Sequence, residues 1–407
     1  MTQDAVAEQQ LRTPPAGIPS FDDNLHDDAV LIDPFPTYAK LRAAGPVVWL
    51  EKYGYYACAR YDEVSAVLSD WETFTSREGV GFNQFFNGIT ETSLQTEGDH
   101  HDEIRQVEGC PIKKGPLEEL KPRLQAFAEN LVETLKGKDT LDGVTDVAMA
   151  MPIEIVTDLV GVEGVTQEQM FKWGVAGFDS IGPLHAPRTQ PALETMMGYM
   201  EFADENFPSN VREGGWADQL FKNGAAAGWP EDFARGVMND YIYPSVDSTI
   251  SAIGIGLLLF AQNPDQWDRL RADRSLLTSA IPEIVRLASP LQFFTRVATK
   301  DTEIAGVPIP EGSRVVVMYG SANRDERKFE NPDSFDITRD PAGHLGWGRG
   351  KHACLGKPLA RLEMITLFNT LADNVERFHA GKYRYQPNNI IRSLGELELA
   401  ITWAKKD

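Results

Sequence analysis

The sequence predicts a mainly α-helical chain with a small β region, on three observations. Apolar residues recur at helical spacing over long stretches, clearest at 122–135, 149–159, 231–262 and from Leu359 through Leu362, Ile365, Phe368 and Ala372. Strand-like runs are few and short. Val47-Val48-Trp49-Leu50 and Tyr55-Tyr56-Ala57-Cys58-Ala59 flank a turn at Tyr53-Gly54 and read as a hairpin, and further short strands fit 302–318 with a turn at 308–312. The third observation is size and composition: 407 residues, 42% hydrophobic and 24% charged, make a globular chain with ample material for a core.

Charge and cysteine usage narrow the function classes. A formal charge of −21 opposes nucleic acid and anionic membrane as partners over most of the surface. Cys58, Cys110 and Cys354 are too few and too widely spaced for a disulfide framework, which points to a reducing cytoplasm. The first ten residues carry neither a basic start nor an apolar run, so no signal peptide or anchor is expected, and 250–262 is too short to span a bilayer.

In chain order, residues 1–20 are polar and proline-rich and read as a flexible arm, with 21–407 forming one domain. Pro34 to Tyr38 leads into a short helix ending near Gly45, and Tyr61 to Ser69 reads as another. From 71 to 97 the chain is irregular and aromatic, with Phe82, Phe85 and Phe86, and such long irregular segments are commonly functional. His101 and Arg105 then stand four apart on one helix face; taken alone, such a pair is commonly just solvated. Pro122 suits the first turn of a helix. The 231–262 helix carries an oddity, Pro244 followed by Ser245 and by the polar Asp247, Ser248 and Thr249. A proline inside a helix costs about 3 kcal/mol or more, so a capped break between two helices is the alternative there. Glu283 and Arg286 form an i, i+3 pair, ordinarily a surface contact.

The most informative stretch is His344-Leu345-Gly346-Trp347-Gly348-Arg349-Gly350-Lys351-His352-Ala353-Cys354-Leu355-Gly356. Gly348, Gly350 and Gly356 let backbone approach something flat, and a helical pattern starts directly behind Cys354. A cysteine at a helix mouth has its thiolate favoured by the dipole and by free N–H groups, as a sulfur ligand to a metal requires. The competing reading is a buried structural cysteine beside a tight turn.

This spacing resembles the haem-ligating loop of the cytochrome P-450 family. The His101–Arg105, Glu283–Arg286 and Asn323-Arg324-Asp325 to Arg339 segments resemble further family motifs in the correct order. The resemblance covers about residue 30 to the C-terminus. It implies the cytochrome P-450 fold and haem b, with Cys354 as iron ligand. His101, Arg105, Arg296 and His352 would surround the propionates, Trp347, Gly348 and Gly350 would face the cofactor, and Glu283 with Arg286 would lock the loop to the core. Asp247 and Ser248 match the family's acid–alcohol pair for proton delivery, with Thr249 beside them. The family usually has small residues and glycine where this chain has Pro244 and Ser245, and phenylalanine where it has Trp347.

The activity so implied is O2-dependent hydroxylation or O-demethylation, with electrons from a ferredoxin and its reductase. Lys113, Lys114, Lys121, Arg123, Arg349, Lys351 and Lys357 supply a basic patch for an acidic partner. Phe82, Phe85, Phe178, Tyr243, Phe293 and Phe294 lie in segments that line the family's pocket, which suggests a small aromatic substrate. The early chain is similar to members that demethylate para-methoxybenzoates. Glu78, Asn239 and Asp240, however, stand where those hold a carboxylate, which favours a neutral or phenolic methoxyarene. A benzoate demethylase, an H2O2-driven peroxygenase and a non-enzymatic haem sensor are the other readings.

Overall fold

A computed structural model describes residues 14–88, 92–138, 140–340 and 342–405. Most of the expected N-terminal arm, residues 1–13, lies outside the described residues, and the arm's end is corrected. Ser20–Phe21 is a strand parallel to Val48–Leu50, because that edge still offers backbone groups: Trp49 N–H donates to Pro19 O at 2.8 Å.

The hairpin forms as the turn at Gly54 predicts, with Val48 opposite Ala57 and Gly54 at φ +66°. It sits in a six-stranded sheet ordered Ser20–Phe21, Val48–Leu50, Tyr55–Cys58, Arg314–Val317, Phe294–Ala298, Phe74–Thr75. A three-stranded sheet pairs Val375–Gln386 with Ser393–Trp403 and the latter with Leu141–Asp142. Helices make up most of the remainder.

Two apolar clusters follow this division. One joins the six-stranded sheet to Tyr38, Leu41 and the Tyr61–Ser69 helix. The larger gathers the helices around Asp247–Gln262, which is buried on nearly every side. A Cβ at Gly256 would lie 2.8 Å from the Phe368 ring and 3.2 Å from Ile284, so this glycine lets three helices close on one another.

Proline placement corrects two expectations. Pro122 lies inside the helix Lys114–Leu135 rather than in its first turn. The long 231–262 helix is broken into Glu231–Val237, Asn239–Ile242 and Asp247–Gln262. Pro244 has no N–H to continue the ladder, and Ser245 Oγ donates instead to Tyr241 O. The stretch is long and apolar enough to cross a membrane by composition, but 72% of its most apolar window is buried inside the protein.

Candidate active site

The two clusters meet at a cavity of about 290 Å³. One wall is the loop before the helix Lys357–Asn374, contributing Trp347, Gly348, Cys354 and Gly356. Gly348 and Gly350 adopt φ +67° and +70°. A Cβ at Gly350 would stand 2.7 Å from Leu68 O, so this glycine seats the loop on the Tyr61–Ser69 helix and does not itself line the cavity.

Cys354 N–H donates to Trp347 O at 2.8 Å, and its sulfur opens on the cavity. Burial pushes this thiol up; the Gly356 N–H, the Arg105 charge, the Lys357 N–H and the Lys357 charge all act the other way. Cys58 is buried in the sheet and its thiol is also pushed up by burial, while Cys110 donates to Gln106 O at 3.2 Å. Neither of these lines the cavity.

The loop is held from behind by a buried ion pair. Arg286 Nε and Nη2 reach the two Glu283 oxygens at 2.7 and 2.9 Å, and Nη1 donates to Asn323 O and Pro332 O at 2.8 and 2.7 Å. Asn323 Oδ1 then accepts from Leu345 N–H at 2.7 Å, so the pair reaches the loop through one side chain. Removing either ion would strand the other in the core.

A cluster of cationic and imidazole side chains lies at the cavity edge. Arg105 Nε points at His101 Nε2 at 3.3 Å, and the His101 and His352 rings meet edge to face at 4.7 Å. His352 Nε2 contacts Glu97 Oε2 at 2.9 Å, while its buried Nδ1 has no partner among the described residues. Burial lowers the His101 pKa to about 4, and His352, Arg105 and Lys351 push it the same way. Arg296 is buried on the strand Phe294–Ala298, two residues from Phe294, so both present to one face and line the cavity. Burial opposes ionisation of Glu97, but hydrogen bonds from His352 and Ser76 hold it at about 2. His352 feels the Glu97 carboxylate on one side and the Arg296 and Arg105 charges on the other, so the cluster can take further anionic oxygens. With the open thiol and an apolar wall between, these residues fit a flat, carboxylate-bearing haem b.

The broken helix provides another wall through Tyr243, Pro244, Ser245, Ser248 and Thr249. Ser248 Oγ donates to Pro244 O at 3.0 Å. Asp247 lies behind this wall; burial and the neighbouring Asp179 push its carboxyl up to about 7. Trp347 packs under the Lys357 ammonium, 5.1 Å from the ring centroid, with His344 5.0 Å away.

Several expected pocket residues are corrected. Phe178, Tyr243 and Phe294 line the cavity, but Phe82 and Phe293 do not. Those two pack on each other at 5.4 Å and on His26 at 4.8 and 5.6 Å, inside the sheet-side core. Phe293 and Phe294 are chain neighbours entering a strand, so only one can face inward. Phe85 is 43% exposed, and Glu78 does not line the cavity either, its carbonyl accepting from Arg314 at 2.8 Å. The sequence reading missed two buried acids on the wall, Glu108 and Glu363, because each sits in an ordinary helical pattern. Burial drives Glu363 up to about 8.

Comparisons with known proteins agree with this geometry. Residues 235–379 match the family model described as Cytochrome P450. The chain is 34% identical over 377 residues to the cytochrome P450 CYP199A2 of Rhodopseudomonas palustris, covering 91% of each. It is 30% identical over 398 residues to a steroid C26-monooxygenase of Rhodococcus jostii, covering 91% of this chain and 81% of the relative. Among solved structures, P450BioI in complex with an acyl carrier protein bearing hexadec-9Z-enoic acid superposes with a TM-score of 0.81. That pair is 26% identical, with 92% of this chain and 100% of that one covered.

Proposed function

The chain belongs to the cytochrome P450 family of haem-dependent monooxygenases, and from that premise we propose that it hydroxylates or O-demethylates a small methoxyarene with electrons from a ferredoxin and its reductase. The chemistry supplied by bound haem b is reductive activation of O2, with one oxygen atom entering the substrate and the other leaving as water. On an O-methyl group this yields a hemiacetal, which collapses to a phenol and formaldehyde.

Each step draws on residues of this chain. Cys354 is the thiolate ligand, and the Gly356 and Lys357 N–H groups spread its charge. Arg105, Arg296 and His352, backed by His101, hold the cofactor's carboxylates, and Glu97 orients His352. Asp247, near neutrality at about 7, hands protons to Ser248 and Thr249 on the cavity wall. Phe86, Phe178, Tyr243 and Phe294 hold a flat ring while excluding water. Lys113, Lys114 and Lys357 are exposed and suit an acidic electron donor, whereas Lys121, Arg123 and Lys351 are already paired with Glu118, Asp158 and Asp102.

The observation that carries the substrate reading is this aromatic lining around a cavity that the Cys354 sulfur enters. Titrating the purified holoprotein with aromatic compounds tests it. A low-spin to high-spin Soret shift with small methoxyarenes is expected, and a shift only with aliphatic or steroidal compounds would overturn it.

A further inference from the structure

The short turn Ser93–Gln95, the helix Gly98–Glu108 and the broken helix bring three polar residues from distant parts of the chain to one corner of the cavity: Ser93, Glu108 and Asp240. Asp240 Oδ2 accepts from both Ser93 N–H and Ser93 Oγ, at 2.9 and 2.8 Å. Glu108 is 0% exposed, yet neither of its carboxyl oxygens meets a well-aligned hydrogen-bond partner among the described residues. Arg105 Nε, at 3.5 Å from Glu108 Oε1, gives an ion contact only. The Asp240 carboxyl stands close enough to bond with Glu108 once one of the two carries a proton.

Two ionised carboxyls in this setting repel each other, and burial penalises both charges. Burial and then Asp240 raise Glu108 well above the ordinary carboxylate range. Glu108 therefore holds a proton beside the Asp240 carboxyl. That leaves a strong acceptor and a donor side by side on the cavity wall, with the Ser93 hydroxyl placed between the two carboxyls and donating to Asp240.

We propose that the Glu108–Asp240 pair anchors the free hydroxyl of a phenolic substrate, so that this enzyme acts on methoxyphenols rather than methoxybenzoates or fully methylated rings. This rests on the aromatic-substrate reading above and sharpens it. A phenol O–H donates to the ionised carboxyl and its oxygen accepts from the protonated one, which satisfies both members of the pair. A benzoate brings a second negative charge to the same corner, and the nearest cation, Arg105, is committed to the cofactor. A ring without a hydroxyl leaves the buried carboxyls unpaired, an outcome more costly than the bond is favourable.

The test is equilibrium binding to the holoprotein, read by spin state and by calorimetry. The series comprises a methoxyphenol, the same ring with its hydroxyl methylated, the matching methoxybenzoate and the matching ring bearing a trimethylammonium group, which cannot ligate iron. The expected result is tighter binding of the methoxyphenol than of the methylated ring by about tenfold or more, with the benzoate weaker still. The double variant Glu108→Gln, Asp240→Asn keeps the shape and removes every ionised acceptor, so it should bring the phenol and the methylated ring within about threefold. The wild-type series carries the test even if a variant fails to fold. Equal binding of phenol and methylated ring overturns the proposal while leaving the aromatic reading intact. Tighter binding of the trimethylammonium ring overturns it in favour of a cation site. No binding by any member of the series overturns the aromatic reading itself.

Discussion

The cysteine loop and the broken-helix wall border the same cavity, yet they are built on opposite principles. Behind the loop the buried ion pair is fully answered: Arg286 bonds both Glu283 oxygens and three carbonyls, and Glu283 also takes Arg339 at 3.2 Å. Toward the broken helix the charges are under-answered. Asp247 faces Asp179, and Glu108 faces Asp240. The saturated side holds a fixed geometry for a ligand to iron. The unsaturated side keeps carboxyls protonated near neutrality, which suits groups that must give up a proton or hold a substrate hydroxyl.

Breaking the saturated side should have the largest effect. Glu283→Ala leaves a buried guanidinium without its counter-ion and should cost about 3–5 kcal/mol in urea unfolding of the holoprotein. A loss no larger than a surface pair gives, below about 1 kcal/mol, would mean the pair does not hold the loop.

Glu363, buried on the helix that follows the cysteine loop, predicts a stability that falls with rising pH. Glu363 goes from an ordinary value of 4.5 to about 8 in the fold, so the folded state binds its proton more tightly than the unfolded chain. Its favourable contribution is complete below about 4.5 and disappears as pH climbs through about 8. Glu363→Gln should flatten that decline by on the order of 5 kcal/mol between these limits. Parallel curves for the two proteins would show that Glu363 is not held protonated.

Next in size is the proton path. Asp247→Asn should lower turnover by about a hundredfold while substrate affinity stays put, and Ser248→Ala should divert electrons to H2O2. Unchanged coupling of electrons to product in both variants would remove the pair from proton delivery. The smallest effect is expected at Trp347. Its indole packs under Lys357, and no hydrogen bond joins its N–H to Cys354 among the described residues. Trp347→Phe should therefore leave the ferric/ferrous potential in place, and a clear drop would establish a bond to the sulfur.

The same contrast explains what was legible in the sequence. The loop at 344–356 is contiguous, and Glu283–Arg286 and His101–Arg105 are helix neighbours, so their spacing alone brings them together. The Ser93–Glu108–Asp240 corner joins residues 147 positions apart between Ser93 and Asp240, which no local period reports. Phe82 and Phe293 were read as pocket residues because aromatic content does not say which face a side chain takes. The break at Pro244 was visible as an irregularity, but its Ser245–Tyr241 repair belongs to the folded backbone.

The most direct test of the whole account is the spectrum of the reduced CO complex in three single variants. Cys354→Ala should abolish the thiolate-type Soret band, while Cys58→Ala and Cys110→Ala keep it, since neither of those sulfurs reaches the cavity. A thiolate-type band that survives in Cys354→Ala, or disappears in either of the others, would contradict Cys354 as the iron ligand.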